Sequence, residues 1–512
     1  MEVWLIILLS LCAIFSVKSL LPLLFPSSTS KKNGSKGKLP PGPSPLPFIG
    51  NLLLIPKSAV ELRSAICNLS HKYGPILTLY VGSKPAIFIT SYSIAHQALV
   101  RNSVAFANRP PVVPVSTVLS NKRKDIGGSP YGPTWRTLRR NFVSEVVHPT
   151  RIRSYSVERK RALEAMIKSF NQSSSQKEPI RLLDHIQKAI YSMFILMTFG
   201  DLGESTIREI EDIQYKLLVN YKHFSVFGTW PRLGKLVYRN RYKTYMKFLE
   251  IQYDLLFPVI RARRKLKQEK GEELDLVPYI DTLFDLQIPG EEGTLAEADV
   301  LSLCSELVNA GADTSITMLQ WVMANLVKYP RVQAKLYAAI REVVGPDAKE
   351  VTEDDMHKVT YLKAVVMECL RIHPPSTSLV PHTVMEDVEL CGYTIPKDTM
   401  AIVVTSLIGR DPNVWEDPMD FRPERLINNE GTSGEEVSDV TAYKMMPFGA
   451  GRRMCAGNRL GLLLMEYFVA NLVLNFEWKA VDGEGVDLSE REEFLVVMKN
   501  PVRAHVSPRI KH

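Results

Sequence analysis

Phe448-Gly449-Ala450-Gly451-Arg452-Arg453-Met454-Cys455-Ala456-Gly457 lies near the C-terminus and surrounds the chain's most informative cysteine. Glycines on both sides of Cys455 let the backbone turn tightly and approach a broad, flat ligand with no Cβ in the way. The run that follows, AGNRLGLLLMEYFVANLVLNF, carries apolar residues at helical spacing through Leu460, Leu463, Leu464, Tyr467 and Phe468. Cys455 is therefore expected at the start of a buried helix, where unpaired amides and the positive helix end favour the thiolate. A thiolate in an apolar shell is a soft ligand for iron, and Arg453 is spaced to meet an acidic group on that ligand. A lone cysteine is usually an inert buried side chain, a role that calls for neither the glycines nor the arginine. Met454 stands where a G-x-G-x-x-G dinucleotide loop needs glycine, so that fingerprint fails.

The segment resembles the haem-binding signature F-x-x-G-x-[RH]-x-C-x-G of the cytochrome P-450 haem–thiolate monooxygenases. Phe448, Gly451, Arg453, Cys455 and Gly457 fill its fixed positions; Ala456 stands where eukaryotic members often carry proline. Three further motifs follow in the family's order, so the resemblance covers nearly the whole chain. Glu368-Cys369-Leu370-Arg371 matches E-x-x-R and puts an acid and a base on one helix face. By resemblance Arg425 completes a buried structural network with them. Residues 295–328 read as one long buried helix, with Thr294-Leu295-Ala296-Glu297 as a capping box and Pro330 as its stop. Its middle, Ala310-Gly311-Ala312-Asp313-Thr314-Ser315, matches [AG]-G-x-[DE]-T-[TS]. Gly311 weakens the helix and Thr314 can return its hydroxyl to a carbonyl one turn back, opening a local bend. Asp313 and Thr314, an acid followed by an alcohol, are what proton delivery to reduced dioxygen needs. Trp135-Arg136-Thr137-Leu138-Arg139 matches W-x-x-x-R, and Trp135 with Arg139 would present two donors to one haem propionate. His382 occupies a position where the family often has a second propionate partner.

The resemblance implies an α+β, predominantly helical fold: a single large domain with small β-sheets, preceded by one N-terminal transmembrane helix. It implies haem b held by the Cys455 thiolate, which pushes electron density toward O–O cleavage. One oxygen atom of O2 would enter a hydrophobic small-molecule substrate. This chain has no flavin or NADPH motif of its own, so a membrane-bound NADPH–cytochrome P-450 reductase is implied. Arg136, Arg140, Lys444 and Arg452 are candidates for its docking face. Candidate substrate contacts fall in residues 109–120, 309–314, 377–379 and 494–498, which are mostly small and apolar. Two alternatives stand beside this reading: a haem–thiolate isomerase or dehydratase of hydroperoxides, and a non-enzymatic haem carrier or sensor.

Beyond the motifs, the 512 residues have 45% hydrophobic and 23% charged content, ordinary for a globular chain. A net charge of +8 is too dispersed to imply nucleic acid. Six scattered cysteines exclude a disulfide scaffold. Residues 1–25 form the expected membrane anchor: residues 3–25 carry the single charge Lys18 and are followed by Lys31, Lys32, Lys36 and Lys38, which orients the body to the cytosol. Residues 26–51 are a basic, proline-rich hinge ahead of the catalytic domain, 52–512. The resemblance is to plant microsomal members, so the expected location is the endoplasmic reticulum membrane. Helical patterns fill residues 59–73, 134–170, 182–197 and 205–266. Strand-like runs occur at 76–81, 86–89, 388–395 and 400–406, and exposed connectors at 261–275 and 428–439.

Overall fold

The computed structural model describes Cys12 and residues 38–509, apart from 57, 112–119, 121–122, 175–177, 230, 271–275, 429–435, 438–443 and 484. The expected anchor, most of the hinge and most of the candidate segment 109–120 lie outside the described residues. No helix among the described residues is long and apolar enough to cross a membrane.

Helices dominate. Near the N-terminus, α1 (Ala59–Tyr73) precedes the antiparallel pair β1 (Ile76–Val81) and β2 (Lys84–Ile89), all close to their expected bounds. Then come α2 (Pro133–Glu145), α3 (Ser156–Ser174), α4 (Leu182–Phe199), α5 (Glu204–Val219) and α6 (Arg239–Lys270). The second half holds α7 (Glu297–Lys328), α8 (Pro330–Val344), α9 (Thr360–Ile372), β3 (His382–Thr383), β4 (Met400–Val403) and α10 (Asn458–Asn475). At 32 residues and ~1.5 Å per residue, α7 runs about 48 Å through the centre of the molecule. It packs against α4, α9 and α10, and buried side chains of all four helices share the largest apolar core. Two smaller cores lie on the two faces of a sheet of order β1-β2-β4-β3, in which β2 and β4 run parallel with Ala86 beside Met400.

Several expected elements are cut differently. The 134–170 pattern is broken between Glu145 and Ser156, where Pro149, lacking an N–H, starts a separate short helix. The 205–266 pattern breaks after Val219 into three short helices before α6 begins at Arg239. The connector expected at 261–275 is helical as far as Lys270, because Arg263 is tied to the buried Asp281 at 2.6 Å. Residues 388–395 form a hairpin, turning at Cys391 (φ 50°) and Gly392 (φ 77°). The capping box does not form: Ala296 is the cap of α7, and the Glu297 carboxylate instead reaches Arg261 at 2.9 Å.

The E-x-x-R network closes as expected. Glu368 and Arg371 on α9 are 0% and 1% exposed and joined by two bonds of 2.8 Å. Arg425 Nε donates to Glu368 Oε1 at 3.0 Å, and the Arg371 guanidinium also binds the carbonyls of Gly409 and Pro418. The buried Glu368–Arg371 pair thereby fastens the stretch from Gly409 to Arg425 onto α9.

Candidate active site

The cysteine loop is a tight turn fixed by two backbone features. Gly451 has φ 70°, and a Cβ there would stand 1.8 Å from the Leu99 carbonyl oxygen, so no other residue fits. The Cys455 amide donates to the Phe448 carbonyl at 2.9 Å, closing the loop. Cys455 lies three residues before the first residue of α10, and the Gly457 amide and Arg139 both act to favour its thiolate. Burial outweighs them and pushes the thiol up, so the helix end alone does not ionise it. A bound metal cation reverses such a balance by deprotonating the thiol outright.

Cys455 opens onto a cavity of about 330 Å³ bounded by α2, α7, the loop and the start of α10. Trp135, Arg139, Phe448 and Arg453 line it, as do Ala310, Gly311, Thr314 and Ser315 of α7. Gly311 admits Phe194 from α4: a Cβ would sit 2.1 Å from that ring. The Thr314 hydroxyl donates to the Ala310 carbonyl at 2.6 Å, the expected back-bond. The helix nevertheless stays continuous from Glu297 to Lys328.

One part of the wall is strongly cationic. Arg453 stacks on Trp135 with its guanidinium 4.4 Å from the ring, and donates to the carbonyls of Ala107 and Ser129 at 2.7 Å. Trp135 Nε1 donates to the Ile126 carbonyl at 3.1 Å and Arg139 to the Met454 carbonyl at 2.7 Å. Arg109 joins them, bonded to the carbonyls of Gly127, Val380 and Pro381. Burial and mutual repulsion pull Arg109 down to about 9 and Arg453 to about 10, with Asp125 opposing. The cavity's own carboxylate, Glu306, accepts from the amides of Ile126 and Gly127 at 2.8 and 2.7 Å. Burial pushes Glu306 up, with Asp125 adding to the shift and the two amides and Arg139 opposing it. A cluster of three guanidinium groups beside a cysteine fits a flat ligand that carries two carboxylates and a metal, as haem b does.

Two expected site residues are not brought into the cavity wall. His382 is buried with Nδ1 2.7 Å from the Phe106 carbonyl, and burial beside Arg109 lowers it to about 3, so it is neutral. Asp313 faces α4, where the Tyr191 hydroxyl donates to its Oδ1 at 2.7 Å. Of the candidate substrate segments, 109–120 contributes Arg109, 309–314 contributes Ala310, Gly311 and Thr314, and Val380 stands in for 377–379; none of 494–498 reaches the wall. Arg109 as a cation of this cluster and Glu306 were missed. An acid inside the apolar run SLCSELV was the available signal for Glu306, whereas Arg109 becomes meaningful only with its distant carbonyl partners.

The fold and the site together define a haem–thiolate protein, and comparison with known proteins agrees. The Cytochrome P450 family profile matches residues 40–507, so the chain belongs to the cytochrome P450 family. It is 42% identical to Cytochrome P450 89A9 of Arabidopsis thaliana over 93% of this chain and 95% of that one. With the germacrene A acid 8-beta-hydroxylase of Helianthus annuus it shares 32% identity over 93% and 94% of the two chains. A zebra fish cytochrome P450 solved with progesterone superposes with a TM-score of 0.72 at 24% identity, covering 87% of this chain and 99% of that one; at this identity the likeness speaks for the fold. Membership and plant relatives make the chain an oxidoreductase of the monooxygenase class, with haem held by a cysteine thiolate.

Proposed function

We propose that this chain is a membrane-anchored monooxygenase of the plant endoplasmic reticulum, with Cys455 as the thiolate that would hold the iron of its haem. The observation that carries the assignment is one cavity shared by the Cys455 sulfur, the cationic cluster and the Ala310–Thr314 stretch of α7. Haem bound there supplies reductive activation of O2 and transfer of one oxygen atom to substrate. Arg109, Arg139, Arg453 and Trp135 would hold its carboxylates. The Gly457 amide, donating to the Cys455 sulfur, would temper the charge on the ligand. Phe194, Leu303, Leu307 and Val380 exclude water and favour an apolar substrate. Thr314 offers its oxygen to a proton donor while its own hydrogen is held by Ala310, and Asp313, next along the helix, supplies the acid.

Thr314→Ala tests this reading against the two alternatives. In the reconstituted holoenzyme it is expected to raise hydrogen peroxide formed per NADPH severalfold at unchanged haem content. A carrier consumes no NADPH, and an isomerase turns over without it; either result excludes the monooxygenase.

Electrons are proposed to come from an NADPH–cytochrome P-450 reductase docking on a basic face beside the cysteine loop. Exposed Arg136 and Arg452 flank the Tyr131 ring at 5.1 and 5.8 Å, next to the site. Arg136→Glu is expected to slow reduction of the haem severalfold, most at low ionic strength, with haem content unchanged. Equal reduction rates would remove Arg136 from the docking face. Besides residues 1–25, support for a lipid-facing attitude comes from exposed apolar side chains: Leu233, Leu236 and Val237 on one short helix, Phe48 in the hinge and Leu53 just after it.

A further inference from the structure

Asp313 is the acid of the proposed proton-delivery pair, yet it is turned away from the cavity that Thr314 lines. Its Oδ1 accepts from the Tyr191 hydroxyl of α4 at 2.7 Å, and its Oδ2 is buried with no hydrogen-bond partner among the described residues. A carboxylate oxygen left bare in the interior is costly when charged, so this geometry suits a group that carries its proton. One turn before Tyr191 on the same face of α4, Gln187 donates to Glu211 of α5 at 2.7 Å. Tyr215, one turn after Glu211 on α5, is 40% exposed. The seam between α4 and α5 therefore lines up polar groups from solvent to Asp313. The groups acting on Asp313 are Tyr191 from α4, Glu211 and Tyr215 from α5, and Glu493 from the turn after the strand Glu490–Glu492; none of them is a cation.

We propose that Tyr191 is the positioning residue of proton supply: it holds Asp313 at the inner end of the α4–α5 seam, and protons reach Asp313 from solvent past Glu211. Each proton that Asp313 releases toward the Thr314 side is replaced by one from bulk water along this seam. Tyr191 keeps its own hydrogen and sets where the carboxyl points. The inference rests on the reading of Asp313 and Thr314 as a proton-delivery pair.

Burial and the surrounding acids push Asp313 up to about 7, and the Tyr191 hydrogen bond, which favours the charged form, opposes the rise. Removing that bond must raise the value further; removing the negative neighbour Glu211 must lower it. The experiment is an infrared titration of the buried carboxyl band in resting, haem-loaded protein, with the Asp313 band assigned by its absence in Asp313→Asn. Tyr191→Phe is expected to move the midpoint upward by about one pH unit, and Glu211→Gln to move it downward. Opposite shifts show that both groups act on the Asp313 carboxyl, and the solvent isotope effect separates proton supply from a merely structural role. In turnover with NADPH and the reductase, without added substrate, both variants are expected to raise the solvent deuterium isotope effect about twofold. Unmoved midpoints in both variants overturn the proposal, and so do unchanged isotope effects. If Tyr191→Phe fails to load haem, Glu211→Gln decides alone. If Asp313→Asn itself leaves peroxide yield and isotope effect as in wild type, the delivery pair falls, separately from the placement of Tyr191.

Discussion

Cys455→Ala membranes are expected to lose the strongly red-shifted carbon monoxide band of reduced thiolate-ligated haem, and NADPH-dependent turnover is expected to drop to background. The reason lies in the composition of the cavity. Its other walls are guanidinium groups, Glu306, hydroxyl and apolar side chains, and the one other sulfur among its lining residues, the Met454 thioether, cannot supply a thiolate. The arginines and Trp135 remain, and weak haem binding with a band at the position typical of other ligation is compatible with the assignment. A retained red-shifted band in the variant would mean that another residue ligates the iron. Burial raises the Cys455 thiol against the pull of Gly457 and Arg139, and a metal-bound sulfur is a thiolate, so loading of iron should release a proton. Haem uptake by the apoprotein is accordingly expected to weaken as pH falls.

Glu368→Gln is expected to cost about 3–5 kcal/mol, the penalty for stranding a buried charge. Arg371 is 1% exposed and relies on Glu368 as its counter-ion, while Arg425 shares the same carboxylate oxygen. Neutralising that carboxylate leaves two cations with only backbone carbonyls to satisfy them. Set against a whole-domain stability of ~5–15 kcal/mol, the loss should show as little or no haem-loaded protein and a large fall in the urea midpoint. The double variant Glu368→Gln, Arg371→Met should recover part of the loss, because the stranded charge goes with its partner. A single variant with wild-type stability would show that the network is ornamental to the fold.

Local spacing made much of the molecule legible. Residues 59–73 and 76–81 are a helix and a strand at the expected bounds because side-chain periodicity is a property of the backbone itself. Glu368 and Arg371 meet because three residues along a helix is one face, and the Thr314 back-bond reaches one turn for the same reason. Helix continuity was harder to read: the apolar pattern runs on across Pro149 and Asn220, where backbone chemistry ends it. The capping box failed because Thr294 pairs with Gln287, seven residues back, in an antiparallel bridge, and the helix starts only at Glu297.

What the sequence alone determined is the chemistry: a cysteine loop with its glycines and arginine, an acid and an alcohol in mid-helix, and a Glu–Arg pair, each set by short spacing. Tertiary structure decided which of these side chains share a space. It gathered Arg109 with Arg139 and Arg453, brought Glu306 onto the amides of Ile126 and Gly127, left His382 on the Phe106 carbonyl and turned Asp313 toward Tyr191. Apart from Arg109 and Arg139, those residues meet across more than a hundred positions of sequence. No local periodicity encodes them; they follow from how α4 and α7 pack and from the burial that forces every polar group to find whatever partner lies within reach.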